Sequence, residues 1–286
     1  LTTDGQYNGS NIATDFNRGT RNTYYLDLAR QAALKAIEGP YSLLDSYGSL
    51  FAYQTANNNS ESLFQLQWLT GSTDAIGWGC NNAMQAFFAW STMVGETNWG
   101  NATYASYDLV REYDPQDRIR RHNTICTVGE YYSELNSKNG GYTYNVTESG
   151  YDNKCNIKKH VIGKIDDNGQ SYQQSSGVNT YMMRLAEVYL NLAEAILGNN
   201  ASTTDETALT YFNKVRVRAG MPELKSITYE NLRYERRIEF ALEGQYWYDL
   251  LRRSYYQQQE VVNYLNNQER NAGYEWDESE TCQYAK

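Results

Sequence analysis

The chain has 286 residues and a formal net charge of -9, with a pI near 4.9. That length can bury a substantial core, and no Pro-rich or Gly/Ser-rich linker divides it, so one domain over residues 1–286 is expected. The acidic balance argues against nucleic acid and anionic lipid as partners, since both need a positive footprint, and no apolar run approaches a membrane span.

The stretch from Thr70 to Thr180 is rich in Gly, Asn, Ser, Thr, Tyr and Trp, has Pro115 as its only proline and holds little sustained period of 3.6. Long irregular excursions on a rigid frame are where binding groups usually reside. Trp78 stands between two glycines, Trp99 between Asn98 and Gly100, and Asn101 and Tyr104 follow closely. Such side chains are expected at the surface, where they either contact a ligand or pack a loop. Trp90 reads instead as core, with Met84, Phe87 and Phe88. The basic cluster Arg118, Arg120, Arg121 and His122 adjoins Asp114 and Asp117, and local pairing is its expected role. Asn139 to Asn145 combines a tight turn with alternating Tyr142 and Tyr144, which suits a hairpin and adds both rings to the candidate ligand contacts. Asp166, Asp167 and Asn168 could ligate calcium, but the other ligands of an EF-hand loop are missing and a plain turn is favoured. Cys80, Cys126, Cys155 and Cys282 show no zinc spacing; free, mostly buried thiols are expected, with one or two disulfides as the alternative, and no metal and no cofactor are expected.

From Arg184 onward the pattern becomes helical. Leu185, Val188, Tyr189, Leu192 and Ile196 share one face, and Met182, Met183, Leu190, Ala193 and Leu197 fill much of the remaining circumference. A helix apolar nearly all round is a buried one. Its single polar stripe of Arg184, Glu187, Asn191 and Glu194 must find partners on a neighbour, since a charge buried alone is costly. Arg216, Arg218, Glu235, Arg236 and Arg237 are available, so a structural ion-pair lattice is expected. Gly198 ends the first helix, Thr203 or Thr204 offers a cap for the second, and Gly220 with Pro222 stops it. A third helix is expected from Tyr229 to Gly244, with a further turn or two from Tyr246 to Arg253. Helices joined by short polar loops are the local grammar of a helical repeat.

The blocks RLAEVYLNLAEA, FNKVRVRAGMP and ERRIEFALEGQYWYDLLRR, in that order, resemble the C-terminal core of the RagB/SusD family of surface nutrient-binding lipoproteins. YYLDLARQAALKAIEGPYSLLDSYGSLF and ESLFQLQW look like that family's helical hairpin before its variable region, and ASYDLVREYDPQDRIRR like the segment where its helical frame resumes. The likeness covers about Tyr24 to Arg253, while the segment from Ser254 to Lys286 departs from the pattern and the family's usual N-terminal portion is not seen; a fragment or trimmed member is expected. The resemblance implies a mostly α, TPR-like scaffold with a long loop-rich insertion containing minor β-hairpins. Its parts would be a helical hairpin over 20–70, a ligand-binding region over 71–179, core helices over 180–253 and a divergent tail over 254–286. It also implies capture of a glycan at the outer-membrane surface for delivery to a SusC-like TonB-dependent transporter. Attachment would be through a lipid anchor outside this chain.

Composition fits that expectation. Tyrosine outnumbers phenylalanine 27 to 7, and a ring carrying a hydroxyl suits interfaces that are wet on one side, although Tyr24, Tyr25, Tyr189 and Tyr211 lie in helical contexts that suit packing. Catalysis finds no support. Glu187 and Glu194, seven residues apart on one face, lie about 10.5 Å apart along a helix, beyond the spacing a glycosidase needs, and the usual hydrolase, metalloprotease and nucleotide motifs are absent. The alternatives are a helical-repeat protein-interaction module without glycan binding and a helical glycan-cleaving enzyme.

Overall fold

Asn22 accepts the amide protons of Tyr24 and Tyr25 and so starts the first helix, α1 (Thr23–Ile37). The computed structural model describes residues 8, 19–69, 82–94, 103–145, 155–163, 171–172 and 175–270. The architecture is mostly α, and the strands form only two-stranded pieces. The chain makes two compact units, Leu1–Leu43 with Met183–Gln268, and Leu44–Met182 with Glu269–Lys286.

In the first unit α1 packs on α6 (Leu185–Leu197), and α6 packs on α7 (Glu206–Arg218) and α8 (Tyr229–Glu239). α9 (Tyr246–Ser254) and α10 (Gln258–Asn267) pack on each other. Leu185, Leu190, Leu192, Leu197, Phe212, Val215 and Ile238 are all buried, which is why helices with such weak polar faces hold together. The caps fall where short polar side chains reach free amides. Asp205, rather than either threonine, accepts from Ala208 N at 2.9 Å, because Thr203 is drawn into a short strand against Ile227. Thr228 and Asn231 form a capping box at α8, a device worth about 1 kcal/mol. α8 ends at Glu239, not at Gly244; Leu242 and Gly244 turn the chain with φ of 66° and 81°.

The start of α6 also differs from the periodicity. Thr180–Arg184 is a strand, and Met182 and Met183, about half exposed, lie on it and not around the helix. Arg184 keeps an extended backbone, φ -137° and ψ 161°, while its guanidinium is gripped by Glu239 at 2.6 Å and by both oxygens of Glu243 at 2.8 and 2.9 Å. Arg218 bonds the same Glu239 carboxylate. Arg216 reaches Glu235 at 2.7 Å and the Pro222 carbonyl at 2.9 Å. Arg236 binds Asp249 through two parallel bonds, at 2.9 and 2.8 Å, and Asn191 at 2.8 Å. Arg237 lies 3.6 Å over the Tyr246 ring, and Glu194 sits 3.4 Å from both Arg21 and Arg252. Glu187 stands apart: among the described residues it has no ion pair, and burial raises its carboxyl pKa against the pull of Arg236 and Arg184.

The second unit is built from short pieces. Glu61 to Trp68, which the family likeness placed in a helical hairpin, contains a strand, β1 (Ser62–Leu66). Asn58, at φ 54°, turns the chain before it, and the buried Gln65 side chain ties that turn by accepting from Asn58 N at 2.8 Å and donating to Ala56 O at 2.7 Å. α4 (Tyr107–Glu112) and α5 (Arg118–Thr124) follow, with Asp117 and Arg120 paired and fully buried. β2 (Ile125–Cys126) pairs antiparallel with β5 (Asn156–Ile157), and β3 (Tyr131–Tyr132) with β4 (Tyr142–Thr143). Their inner faces, with Ala89, Met93, Leu135 and Val161, make one core, against which Phe88 and Trp90 pack. Phe87, read as core, is 45 % exposed.

Removing Glu239 takes a shared carboxylate away from two buried guanidiniums, Arg184 and Arg218. Glu239→Ala is therefore expected to cost about 3–5 kcal/mol in urea unfolding, whereas Glu187→Gln, which relieves a buried charge without an ion partner, leaves stability unchanged or raised.

Candidate functional site

Within the second unit a cavity of about 460 Å³ opens between the 3-10 turn Tyr47–Leu50, α5, and the chain from Lys158 to Ile162. Gly48 is what lets the turn approach α5: a Cβ there would meet Asn123 Oδ1 at 2.7 Å, and that side chain is held by Ile119 O at 2.8 Å. Phe51, Val161 and Ile162 give the cavity an apolar part, and Tyr53 a second ring. Ser46, Ser49, Gln54, Asn123 and Ser137 add hydroxyls and amides. His122, Glu134, Lys158 and Lys159 bring charge.

That charge is closely organised. His122 stacks on Tyr132, with centroids 4.6 Å apart and planes 20° apart, and its two nitrogens face Glu130 at 2.7 Å and Glu134 at 3.4 Å. Lys158 Nζ reaches Glu134 at 2.7 Å. Glu130 is held further by Arg121 at 3.6 Å and by the hydroxyls of Thr127 and Tyr132. Lys159 lies 4.6 Å over Phe51 and 5.3 Å over Tyr47.

The titrations follow from those contacts. The bonds to Glu130 and then Glu134 push the His122 pKa up to about 9. Burial would raise Glu130, but the bonds from His122 and Thr127 win and hold it at about 2. Burial likewise opposes the shift at Glu134, yet His122 and Lys158 hold its carboxyl well below the usual range. At neutral pH the cavity therefore presents a charged imidazolium, two lysines and an ionised carboxylate.

The sequence candidates distribute unevenly. Trp78, Trp99 and Asn101 lie outside the described residues, as do Cys80, Cys282 and the Asp166–Asn168 turn. Tyr104 is half-buried and bridges Asn156 antiparallel. Tyr142 and Tyr144, expected as ligand contacts, are buried to 6 % and 0 % exposure in the core. The pairing of Tyr132 with Tyr142 turns that face of the hairpin inward, and a ring packed on both faces cannot stack on a sugar. Cys126 and Cys155 are both buried, and burial pushes the Cys126 thiol up to about 12. The grouping of His122 with Glu134 and Lys158 escaped sequence reasoning, because the three come from separate segments and only the β2–β5 pairing brings 158 beside 122. Local pairing of Arg120 with Asp117 was all the sequence signalled there.

The SusD family model matches residues 44–284, so the segment after Ser254, expected to depart from the pattern, falls within the match. A SusD-like protein of Bacteroides ovatus is 41 % identical over 266 residues, covering 91 % of this chain and 46 % of that protein. A crystal structure with xylogluco-oligosaccharide is 39 % identical at a TM-score of 0.81, covering 92 % of this chain and 53 % of that one. Surface glycan-binding protein A from Bacteroides thetaiotaomicron, in complex with laminarihexaose, shares the fold at 22 % identity and a TM-score of 0.63, with 89 % and 55 % covered. The chain spans about half the length of these relatives.

The His122 cluster fixes a pH signature. With its pKa raised from 6.5 to about 9, His122 contributes stability fully below pH 6.5, and the contribution disappears as pH rises through 9. Glu130, lowered from 4.5 to about 2, contributes above pH 4.5 and loses its share as pH falls toward 2. The difference in melting temperature between wild type and His122→Asn is expected to shrink steadily from pH 6.5 to 9; a difference constant over that window would contradict the assignment.

Proposed function

The chain belongs to the SusD family, and we propose that it captures a glycan at the bacterial cell surface, without cleaving it, and delivers it to a SusC-like TonB-dependent transporter. The observation that carries this reading is the 39 % identical relative whose structure holds a xylogluco-oligosaccharide, matched over 92 % of this chain. The same reading attaches the protein to the outer membrane through a lipid anchor.

Binding rests on aromatic faces and nearby polar groups. The C–H face of a sugar stacks on an indole or phenol ring while its hydroxyls bond to amides, serines and charged side chains. Trp78 and Trp99 are the proposed stacking rings, with Asn101 and Tyr104 orienting the chain. Capture for delivery requires only weak affinity, micromolar to millimolar, or roughly -8 to -4 kcal/mol.

The electrostatics support binding without hydrolysis. A glycosidase acid must keep its proton near neutral pH, which requires a raised pKa. Glu130 and Glu134 are both held low by His122, so neither serves as that acid.

Trp99→Ala is expected to weaken binding of xylogluco-oligosaccharide at least about tenfold, or 1.4 kcal/mol, with an unchanged melting temperature. Tryptophan fluorescence during titration, with reducing ends assayed in the same tubes, measures both points. Unchanged affinity removes Trp99 as a contact, and new reducing ends refute the non-catalytic role.

A further inference from the structure

The cavity of the second unit carries a charge out of keeping with the chain. The protein's net charge is -9, yet His122, Lys158 and Lys159 face a single lining carboxylate, Glu134. Behind the lining Arg121 is set against Glu130 at 3.6 Å.

Lys158 is the informative side chain. It is 8 % exposed, and its ammonium offers three protons but bonds only Glu134 among the described residues. The Tyr132 ring at 5.9 Å adds a face contact and accepts no further strong bond. A buried ammonium with unused donors beside a cavity calls for an acceptor in that cavity.

Size and polarity narrow the acceptor. A volume of about 460 Å³ lies in the range of small-molecule sites, far more than a bare inorganic anion fills. Ser49, Gln54, Asn123 and Ser137 suit ring hydroxyls, and Phe51 with Tyr53 supplies the apolar side that a pyranose face needs. We propose that this cavity binds a uronate residue of the captured glycan, its carboxylate drawn to Lys158 and its ring hydroxyls to the surrounding serines and amides. The proposal rests on the glycan-capture reading and names the class of sugar that the second unit prefers.

The test is calorimetry of the purified chain with a glucuronosyl-xylobiose, with neutral xylotriose, with xylogluco-oligosaccharide and with sodium sulfate. Expected is a preference of roughly tenfold or more for the acidic over the neutral trisaccharide, the size of one charge-assisted hydrogen bond, weakening as salt is raised from about 0.05 to about 0.5 M. Lys158→Met should abolish the preference. Glu134→Gln should raise it, because it frees the ammonium and deletes a repelling carboxylate. If Lys158→Met does not fold, the wild-type preference and the Glu134→Gln variant decide. Equal affinity for both trisaccharides, a preference surviving in folded Lys158→Met, loss of binding in Glu134→Gln, or sulfate competing as well as the uronate would each overturn the assignment. Binding of xylogluco-oligosaccharide without acidic preference sinks the uronate site alone, whereas silence of every saccharide sinks the capture reading with it.

Discussion

Pairing of buried charge is the constraint on which the first unit depends. Its helices place Arg216, Arg218 and Arg236 inside, the strand before them adds Arg184, and a guanidinium cannot give up its charge to escape burial. Each must therefore meet a carboxylate, and the carboxylates come from α8 and the turn and helix after it: Glu235, Glu239, Glu243 and Asp249. Glu239 accepts from two arginines that are distant in sequence, so the end of the strand Thr180–Arg184, the end of α7 and the end of α8 must converge on one carboxylate. Hydrophobic burial makes these helices associate, but bonds with fixed forks set their register.

In the second unit the same principle organises the cavity. His122 holds two carboxylates, and the pair returns the favour by keeping the imidazole charged. Stacking on the buried Tyr132 fixes the ring plane, so the direction of both nitrogens is set by the β3–β4 hairpin. The outcome is a cavity whose ionised groups are set in place before any ligand arrives, which limits the ordering cost of binding.

These arrangements are consistent with the glycan capture proposed above. Rigid ionised groups orient a polar ligand, and the carboxylates Glu130 and Glu134, held low, carry no proton near neutral pH. The chain belongs to the SusD family, and the 39 % identical relative holds an oligosaccharide; the proposed glycan capture rests on these two findings.

The sequence by itself determined the mostly helical class, the family and the existence of buried charges needing partners, because period, order of blocks and composition are local quantities. It also sufficed to separate the helical stretch after Arg184 from the irregular region before it. Partner choice was not legible: Glu187 shares the polar stripe of α6 yet forms no ion pair among the described residues, while Glu239 and Glu243 take that part. Nor was the direction of Tyr142 and Tyr144, since alternation puts both on one face without saying whether that face is core or solvent. The meeting of His122, Glu134 and Lys158 was decided by tertiary structure alone, because strand pairing across a gap of some thirty residues leaves no trace in local spacing.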